Sequence, residues 1–232
     1  MAQKLWHHRG QMSEAFRTVM FLSASGGLQD AYTYIGRGKV FANAQTGNIV
    51  LMSQAAFDGN LARVLHYLVP LLSFALGLAV AEAIRIRYRE AKRLHWRQLV
   101  LVVEILLLFG VGFIPNTLDM AANAMVSFAC AMQVQAFRKV HGYTFASTIC
   151  ISNLRSGMES LVVCFHLHDK KALYKALHYF GVILLFAIGA GLGAQGVAVF
   201  CNRTIWFSCA LLLVSLCFMF IQDEEQARQE TK

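Results

Sequence analysis

The sequence predicts an all-α, polytopic membrane protein, and three observations lead to this fold class. Hydrophobic residues make up 57% of the 232 residues and charged residues only 15%, against about 25% in soluble domains. The apolar residues are grouped in segments long enough to cross a bilayer as helices. Basic residues are concentrated between those segments, as in cytoplasmic loops. The net charge of +8 therefore indicates orientation in a lipid bilayer, with no nucleic-acid partner.

The apolar segments divide the single membrane domain, 1–232, into two halves. The first half, about 17–114, contains the segments 17–36, 40–57, 64–84 and 98–114. The second half, about 118–221, contains the segments 118–137, 144–166, 176–200 and 204–221. We expect the two ends of the chain, 1–15 and 222–232, to be cytoplasmic tails, and the second of them to be disordered.

Two of these segments contain groups that an ordinary spanning helix avoids. The triplet Thr46-Gly47-Asn48 interrupts 40–57, directly after a first segment that contains Asp30. The segment 144–166 again contains polar residues, namely Ser152, Asn153, Arg155 and Glu159. A backbone break at membrane depth is tolerated only where protein or a water-filled cavity satisfies the freed groups. Both segments are therefore predicted to be broken helices that line a site.

The two halves share an order of motifs, which indicates an internal repeat. One set recurs at identical spacing: Gln29, Gly38, Phe41 and Ala42 match Gln133, Gly142, Phe145 and Ala146. With one residue of slack, Asn48 matches Asn153. Later, Phe74-Ala75-Leu76-Gly77 recurs as Phe186-Ala187-Ile188-Gly189. Internal repeats are a recurring feature of secondary transporters.

Loop charge indicates the topology. The loop 85–97 holds six basic residues. If the basic N-terminus is inside and both broken segments cross the bilayer, this loop lies outside, which violates the positive-inside rule. If both segments are re-entrant, 85–97 and 167–175 lie inside and 58–63 lies outside, with Arg37 and Lys39 as exceptions. This predicts six spans, two re-entrant segments and an inverted three-plus-three repeat in the inner membrane, with both termini cytoplasmic. A parallel eight-span arrangement stays the alternative.

The break after the first segment predicts a binding site. A half-helix could restart at Asn48, with Thr46 as its cap and Gly47 in a turn that other residues avoid. Its N-terminus would present unpaired N–H groups and a partial positive charge, which favour an anion. Alternatively, these ends cap each other or water. The candidate substrate-binding residues are Gln29, Asp30, Asn43, Thr46, Gly47, Asn48, Gln133, Asn153 and Arg155.

Other ionisable groups have two interpretations each. Asp30 is either a coupling or gating group for a proton or cation, or a carboxylate satisfied by neighbouring hydroxyls or half-helix amides. Glu104 is either a protonated, packed residue or a second proton site. Arg155 and Glu159 lie four residues apart and can neutralise one another on one helix face.

No catalytic, metal or cofactor site is predicted. His166, His168 and Asp169 fit a solvated membrane interface better than a metal cluster. The cysteines show no metal or disulfide spacing, and the sequence has no Walker loop, His-Glu-x-x-His or Gly-x-Ser-x-Gly motif. The glycine-rich segment 181–196 is a candidate homo-oligomer interface, because small residues allow close helix packing.

Three motifs carry a resemblance to a known family. Gly27-Leu28-Gln29-Asp30-Ala31, then Gly38-x-x-Phe41, then Thr46-Gly47-Asn48 resemble the YoaK family of bacterial integral membrane proteins, a domain of unknown function numbered 1275. The resemblance covers nearly the whole chain, although a Thr-Gly pair expected near Ile151-Ser152 is absent. It implies a six-span inner-membrane protein and supplies no substrate.

We therefore expect a transporter or channel for a small solute or ion, preferably an anion, with Asp30 coupling or gating. The alternative is a non-transporting membrane sensor, or an assembly or scaffold protein. An intramembrane enzyme is a third interpretation, which lacks a recognisable nucleophile–base pair.

Overall fold

The structure is a computed structural model that describes residues 19–88, 96–138 and 150–230. Every regular element within these ranges is helical, which confirms the all-α prediction. The predicted tail 1–15, part of the basic loop 85–97 and the repeat residues Gly142, Phe145 and Ala146 lie outside the described residues.

The described part of the first half contains four helices, with an irregular segment between the first two. The first, α1, covers 19–31 and continues as a π-helix over Tyr32–Gly36. The others are α2 (Gln45–Phe57), α3 (Leu61–Tyr88) and α4 (Trp96–Val111).

The described part of the second half also contains four helices, and its third helix is the longest, as in the first half. They are α5 (Asp119–Ala136), α6 (Cys150–Leu167), α7 (Lys170–Phe200) and α8 (Ile205–Glu230). Short 3₁₀ turns, Asn116–Leu118 and Cys201–Thr204, precede α5 and α8.

Two predicted boundaries are wrong because polar residues extend the helices beyond the apolar segments. Helix α7 begins at Lys170, so most of the predicted loop 167–175 is helical; Asp169 caps it by accepting the N–H of Lys171 at 2.9 Å. Helix α8 continues to Glu230, whereas the sequence predicts disorder over 222–232. The residues from 222 to 230 are mostly Glu, Gln, Arg and Ala, which favour helix.

Three helix pairs define the packing, and their directions can be read from the contacts. Helix α1 runs parallel to α7: a β-carbon built on Gly189 would overlap the carbonyl of Ala24, and one on Gly193 would lie 2.9 Å from the carbonyl oxygen of Leu28. The contacting positions increase together along both chains. These two glycines of the segment 181–196 therefore pack within the chain, whereas Gly191 faces open space. The predicted homo-oligomer interface is thus largely used for packing inside one molecule.

The other two pairs differ in direction, one being parallel and the other antiparallel. Helix α3 runs parallel to α5: a β-carbon on Gly77 would overlap the carbonyl of Phe128, and further along both helices Gln135 Nε2 donates to Glu82 Oε2. Helices α4 and α8 run antiparallel. Asn202, just before α8, donates to the carbonyl of Ile114 beyond the end of α4 at 3.2 Å, whereas Cys209 lies 3.7 Å from the carbonyl of Ile105 within α4.

Two segments of the described chain are long and apolar enough to cross a membrane: Leu61–Tyr88 and the run Lys170–Phe220, which includes α7 and most of α8. Only 22% of the apolar window in the first and 17% in the second is buried within the molecule. A core helix of a soluble protein would be mostly buried, so these exposed apolar surfaces suit lipid contact. The buried core lies between α1, α4, α5 and α8, and it includes Leu22, Leu101, Val126, Met132 and Leu212.

Candidate functional site

The helix break predicted in the first half exists, but it lies before the predicted triplet. The chain is irregular from Arg37 to Ala44, with positive φ at Gly38 (86°) and Lys39 (68°). Helix α2 then begins at Gln45, and no side chain caps it. The prediction that Thr46 caps a half-helix restarting at Asn48 is therefore wrong, because both residues already lie inside α2.

The residues Gly47 and Asn48 instead hold the irregular segment against α2 through Phe41. Gly47 has no positive φ; its missing side chain makes room for the Phe41 ring, since a β-carbon there would lie 2.9 Å from Phe41 Cδ2. Asn48 is fully buried. Its Oδ1 accepts the N–H of Phe41 at 2.9 Å, and its Nδ2 donates to the carbonyl of Phe41 at 2.7 Å and to Gln45 Oε1 at 2.9 Å.

Asp30 occupies the N-terminal side of α2. Its Oδ1 accepts the backbone N–H of Asn43 at 2.7 Å, and the backbone N–H groups of Ala42 and Ala44 also interact with the carboxylate. The Asn43 side chain donates to the carbonyl of Gly26 at 3.3 Å. The carboxylate of Asp30 is therefore satisfied by backbone amides, as in the second interpretation, but these amides belong to the irregular segment before α2 and not to a half-helix that begins at Asn48. A coupling role stays a prediction.

The second predicted break is wrong within the described residues, because its polar residues lie inside one continuous helix, α6 (Cys150–Leu167). The start of the predicted segment, 144–149, lies outside the described residues. Asn153 on α6 is 1% exposed, as buried as its repeat partner Asn48. Arg155 Nε donates to Glu159 Oε1 at 2.9 Å, with 81% and 63% of the two side chains exposed. This is the neutralising pair predicted from their spacing.

A second group of predicted residues forms a buried polar cluster around Gln29. Its Nε2 lies 3.0 Å from Ser25 Oγ, 2.9 Å from Ser208 Oγ and 3.3 Å from Glu104 Oε1. The two serine hydroxyls are 2.6 Å apart, and the Cys130 thiol donates to Gln29 Oε1 at 2.6 Å. The second carboxyl oxygen of Glu104 is buried without a hydrogen-bond partner among the described residues. The cluster therefore joins α1, α4, α5 and α8 inside an apolar core.

The sequence reasoning missed the serines of this cluster, although one signal was available. Ser25, Gln29 and Thr33 are spaced four residues apart on α1 and are all fully buried. Polar residues at this spacing share one helix face, so a polar stripe through α1 could have been predicted.

The remaining predicted residues do not join these two groups. Gln133 is buried on α5 and donates to the carbonyl of Leu22 at 3.2 Å, which ties α5 to α1. Thr46 lies exposed on α2. Within the described ranges, no group of three or more His, Cys, Asp or Glu side chains could hold a metal ion.

Arg37 is a further buried group that sequence reasoning left as an exception to the positive-inside rule. Its side chain is fully buried, and Nη1 forms an ion pair with Asp119 Oδ1 at 2.9 Å. Nε donates to the Tyr32 hydroxyl at 2.9 Å and Nη2 to the carbonyl of Ile114 at 2.7 Å. Because protein groups satisfy this cation, it ties the end of α1 to the α4–α5 turn and does not act as a loop charge.

Comparisons with known proteins give the family and one relative. Residues 18–218 match the family model described as "Protein of unknown function (DUF1275)". The chain is 25% identical over 209 residues to the UPF0700 transmembrane protein YoaK of Bacillus subtilis (strain 168), covering 85% of this chain and 92% of that protein. No solved structure matches the chain. These findings confirm the family resemblance carried by the motifs around Asp30 and Gly47.

Proposed function

The chain belongs to the DUF1275 family and is a membrane protein, and we propose that it transports a small anion together with a proton. The proposed architecture has six spans, two re-entrant helices (α2 and α6) and an inverted three-plus-three repeat. It lies in the inner membrane with both termini cytoplasmic. No chemical reaction is part of this function.

The relative directions of the helices support this topology. Consecutive spanning helices cross the membrane in opposite directions. A re-entrant helix returns to the side it entered from, so it does not change the direction of the next spanning helix. If α6 spanned, four reversals would separate α4 from α8, and the two would be parallel; their contacts are antiparallel. With α6 re-entrant, the parallel arrangement of α1 and α7 requires that α2 be re-entrant as well.

Equivalent backbone contacts support the repeat. Gly77 packs on the carbonyl of Phe128, five residues before Gln133, and Gly189 packs on the carbonyl of Ala24, five residues before Gln29. The glycines match each other in the repeated Phe-Ala-x-Gly motif, and the glutamines match in the first helix of each half. A pseudo-two-fold axis relating the halves would produce this pair of contacts, as in transporters whose sites lie at the repeat interface.

The carboxylate of Asp30 on the amides before α2 is the observation that carries the transport mechanism. Successive backbone amides directed at one point form an anion-binding site, and here the carboxylate of Asp30 occupies the amides of residues 42–44 just before α2. Protonation of Asp30 would remove its charge and weaken these bonds, which leaves the amides available to a solute anion. A proton and an anion would then bind together, without net charge. Glu104, buried beside Gln29, is the proposed second proton site.

Proteoliposome flux tests this proposal. Vesicles containing the protein would be mixed with isosmotic chloride, nitrate, formate or acetate at several external pH values, and anion entry and internal pH would be followed together. We expect at least one anion to enter faster than in empty vesicles, with one proton per monovalent anion. Asp30→Asn should abolish the dependence of entry on pH.

The matched control is Asp58→Asn, the same chemical change at the exposed C-terminal end of α2. It should behave as the wild type. If no anion in the panel enters faster than in empty vesicles, or if Asp30→Asn keeps the pH dependence of the wild type, the proposal is wrong.

A non-transporting sensor or scaffold is the second candidate, and one observation favours it. Asp30, Asn48 and Arg37 are all held by groups of the same chain. Buried polar groups satisfied in this way also specify a rigid fold. Failure of the flux experiment would leave this candidate as the better explanation of the structure.

A further inference from the structure

A cavity between α6 and α7 combines unpaired basic groups with hydroxyls, away from the Asp30 site. Its volume is about 500 Å³, within the range of ligand pockets. Lys171, Lys175 and Tyr179 follow one another at four-residue spacing on the α7 side, and Ser156 and Ser160 do so on the α6 side. Residues four apart lie on one helix face, so these two faces form the facing walls.

The lysines of this cavity form no ion pair among the described residues, although Lys175 Nζ lies 6.0 Å from the centroid of the Tyr179 ring, whereas the two acids already accept hydrogen bonds. Glu159 accepts from Arg155 Nε at 2.9 Å, and Asp169 accepts the backbone N–H of Lys171 at 2.9 Å. In the part of the chain that the structure describes, no carboxylate lies within ion-pair distance of either lysine ammonium. With Arg155 counted, three cations face two carboxylates. The cavity is thus suited to an anion with several oxygen acceptors.

We propose that this cavity binds the phosphate of an anionic phospholipid headgroup. Lysine is a common phosphate ligand, and the two lysines supply the positive charge, because Asp169 already caps the N-terminus of α7. The cavity lies where α6 ends and α7 begins, which the proposed topology puts at the cytoplasmic face. Basic pockets between membrane helices at that face attract anionic headgroups. The proposal does not depend on transport, because binding can be measured without flux.

The test measures lipid binding to the full chain in an uncharged detergent. Short-chain phosphatidylglycerol, phosphatidylcholine and inorganic phosphate would each be titrated, with thermal unfolding and native mass spectrometry as readouts. Phosphatidylglycerol should raise the unfolding temperature and stay bound in the mass spectrum, and phosphatidylcholine should do so much less. Lys171→Ala and Lys175→Ala should each weaken phosphatidylglycerol binding about fivefold. Lys171→Arg should retain it.

The matched control is Lys170→Ala, which removes the same charge one residue away from an exposed position that does not line the cavity. It should leave binding unchanged. Three results would each overturn the proposal: equal binding of the anionic and zwitterionic lipids, an equal loss in the Lys170 and Lys171 variants, or an equal effect of inorganic phosphate. The last result would assign the cavity to a free phosphate compound.

Discussion

The two segments predicted to be broken have equivalent places in the two halves but different chemistry. Helix α2 packs on α3 and α6 packs on α7, and each contains a buried asparagine at the matching position, Asn48 and Asn153. In the first half, Asp30 follows Gln29 and its carboxylate satisfies the amides before α2. In the second half, Val134 follows Gln133, so the matching position supplies no carboxylate.

The two halves therefore share their packing, whereas the site itself is asymmetric. The shared parts are backbone contacts and buried amides, which any pair of equivalent halves needs. The parts that differ are ionisable: Asp30 and the buried Arg37 in the first half, and the exposed Arg155–Glu159 pair in the second. The fold thus buries ionisable groups of the first half, whereas the Arg155–Glu159 pair of the second half is exposed.

The greatest loss of stability is expected where the halves are alike. Gly77→Ala and Gly189→Ala should each destabilise the protein by about 3 kcal/mol or more, because the new β-carbon would overlap a backbone carbonyl that cannot move alone. The measurement is denaturant unfolding of purified protein in detergent. Gly191→Ala is the control, since a β-carbon there meets open space. A large effect at only one of the two glycines would contradict their equivalence.

The next effect tests what the halves do not share. Arg37→Ala should cost about 3 kcal/mol, because it removes a fully buried cation and leaves Asp119 unpaired. Arg155→Ala removes the same side chain from an exposed pair and should cost at most about 1 kcal/mol. Both values can be obtained from the same unfolding titrations. Similar losses in the two variants would show that burial does not distinguish these arginines.

The sequence predicts the ends of a helix well where the apolar segment and the helix end at the same residues. The predicted segment 118–137 agrees with α5, Asp119–Ala136, to within one residue at each end. The sequence predicts the ends poorly where polar residues extend or cap the helix. Asp169 caps α7, whose first residue, Lys170, lies six residues before the predicted start at 176, and hydropathy does not detect a cap.

The details of the site depend on contacts between distant residues, which a single sequence does not display. The Thr46-Gly47-Asn48 triplet is unusual, as the sequence indicates. Its glycine makes room for the ring of Phe41 and does not form a turn. Arg37 is an exception to the positive-inside rule in the sequence, and its buried ion pair with Asp119 explains this exception. In both cases the residue is visible in the sequence, and its partner is set by the fold.

The last and least costly pair of variants separates the roles of two neighbours in α2. Asn48→Ala should cost about 2 kcal/mol, because the buried amide of Asn48 holds both backbone groups of Phe41. Thr46→Ala should change stability by less than about 0.5 kcal/mol, since Thr46 is exposed and α2 has no side-chain cap. If Thr46 were the cap, as the sequence predicts, its loss would cost about 1 kcal/mol. Unfolding titrations that rank Thr46→Ala with or above Asn48→Ala would therefore restore the capped half-helix and overturn the role of Asn48 in holding Phe41.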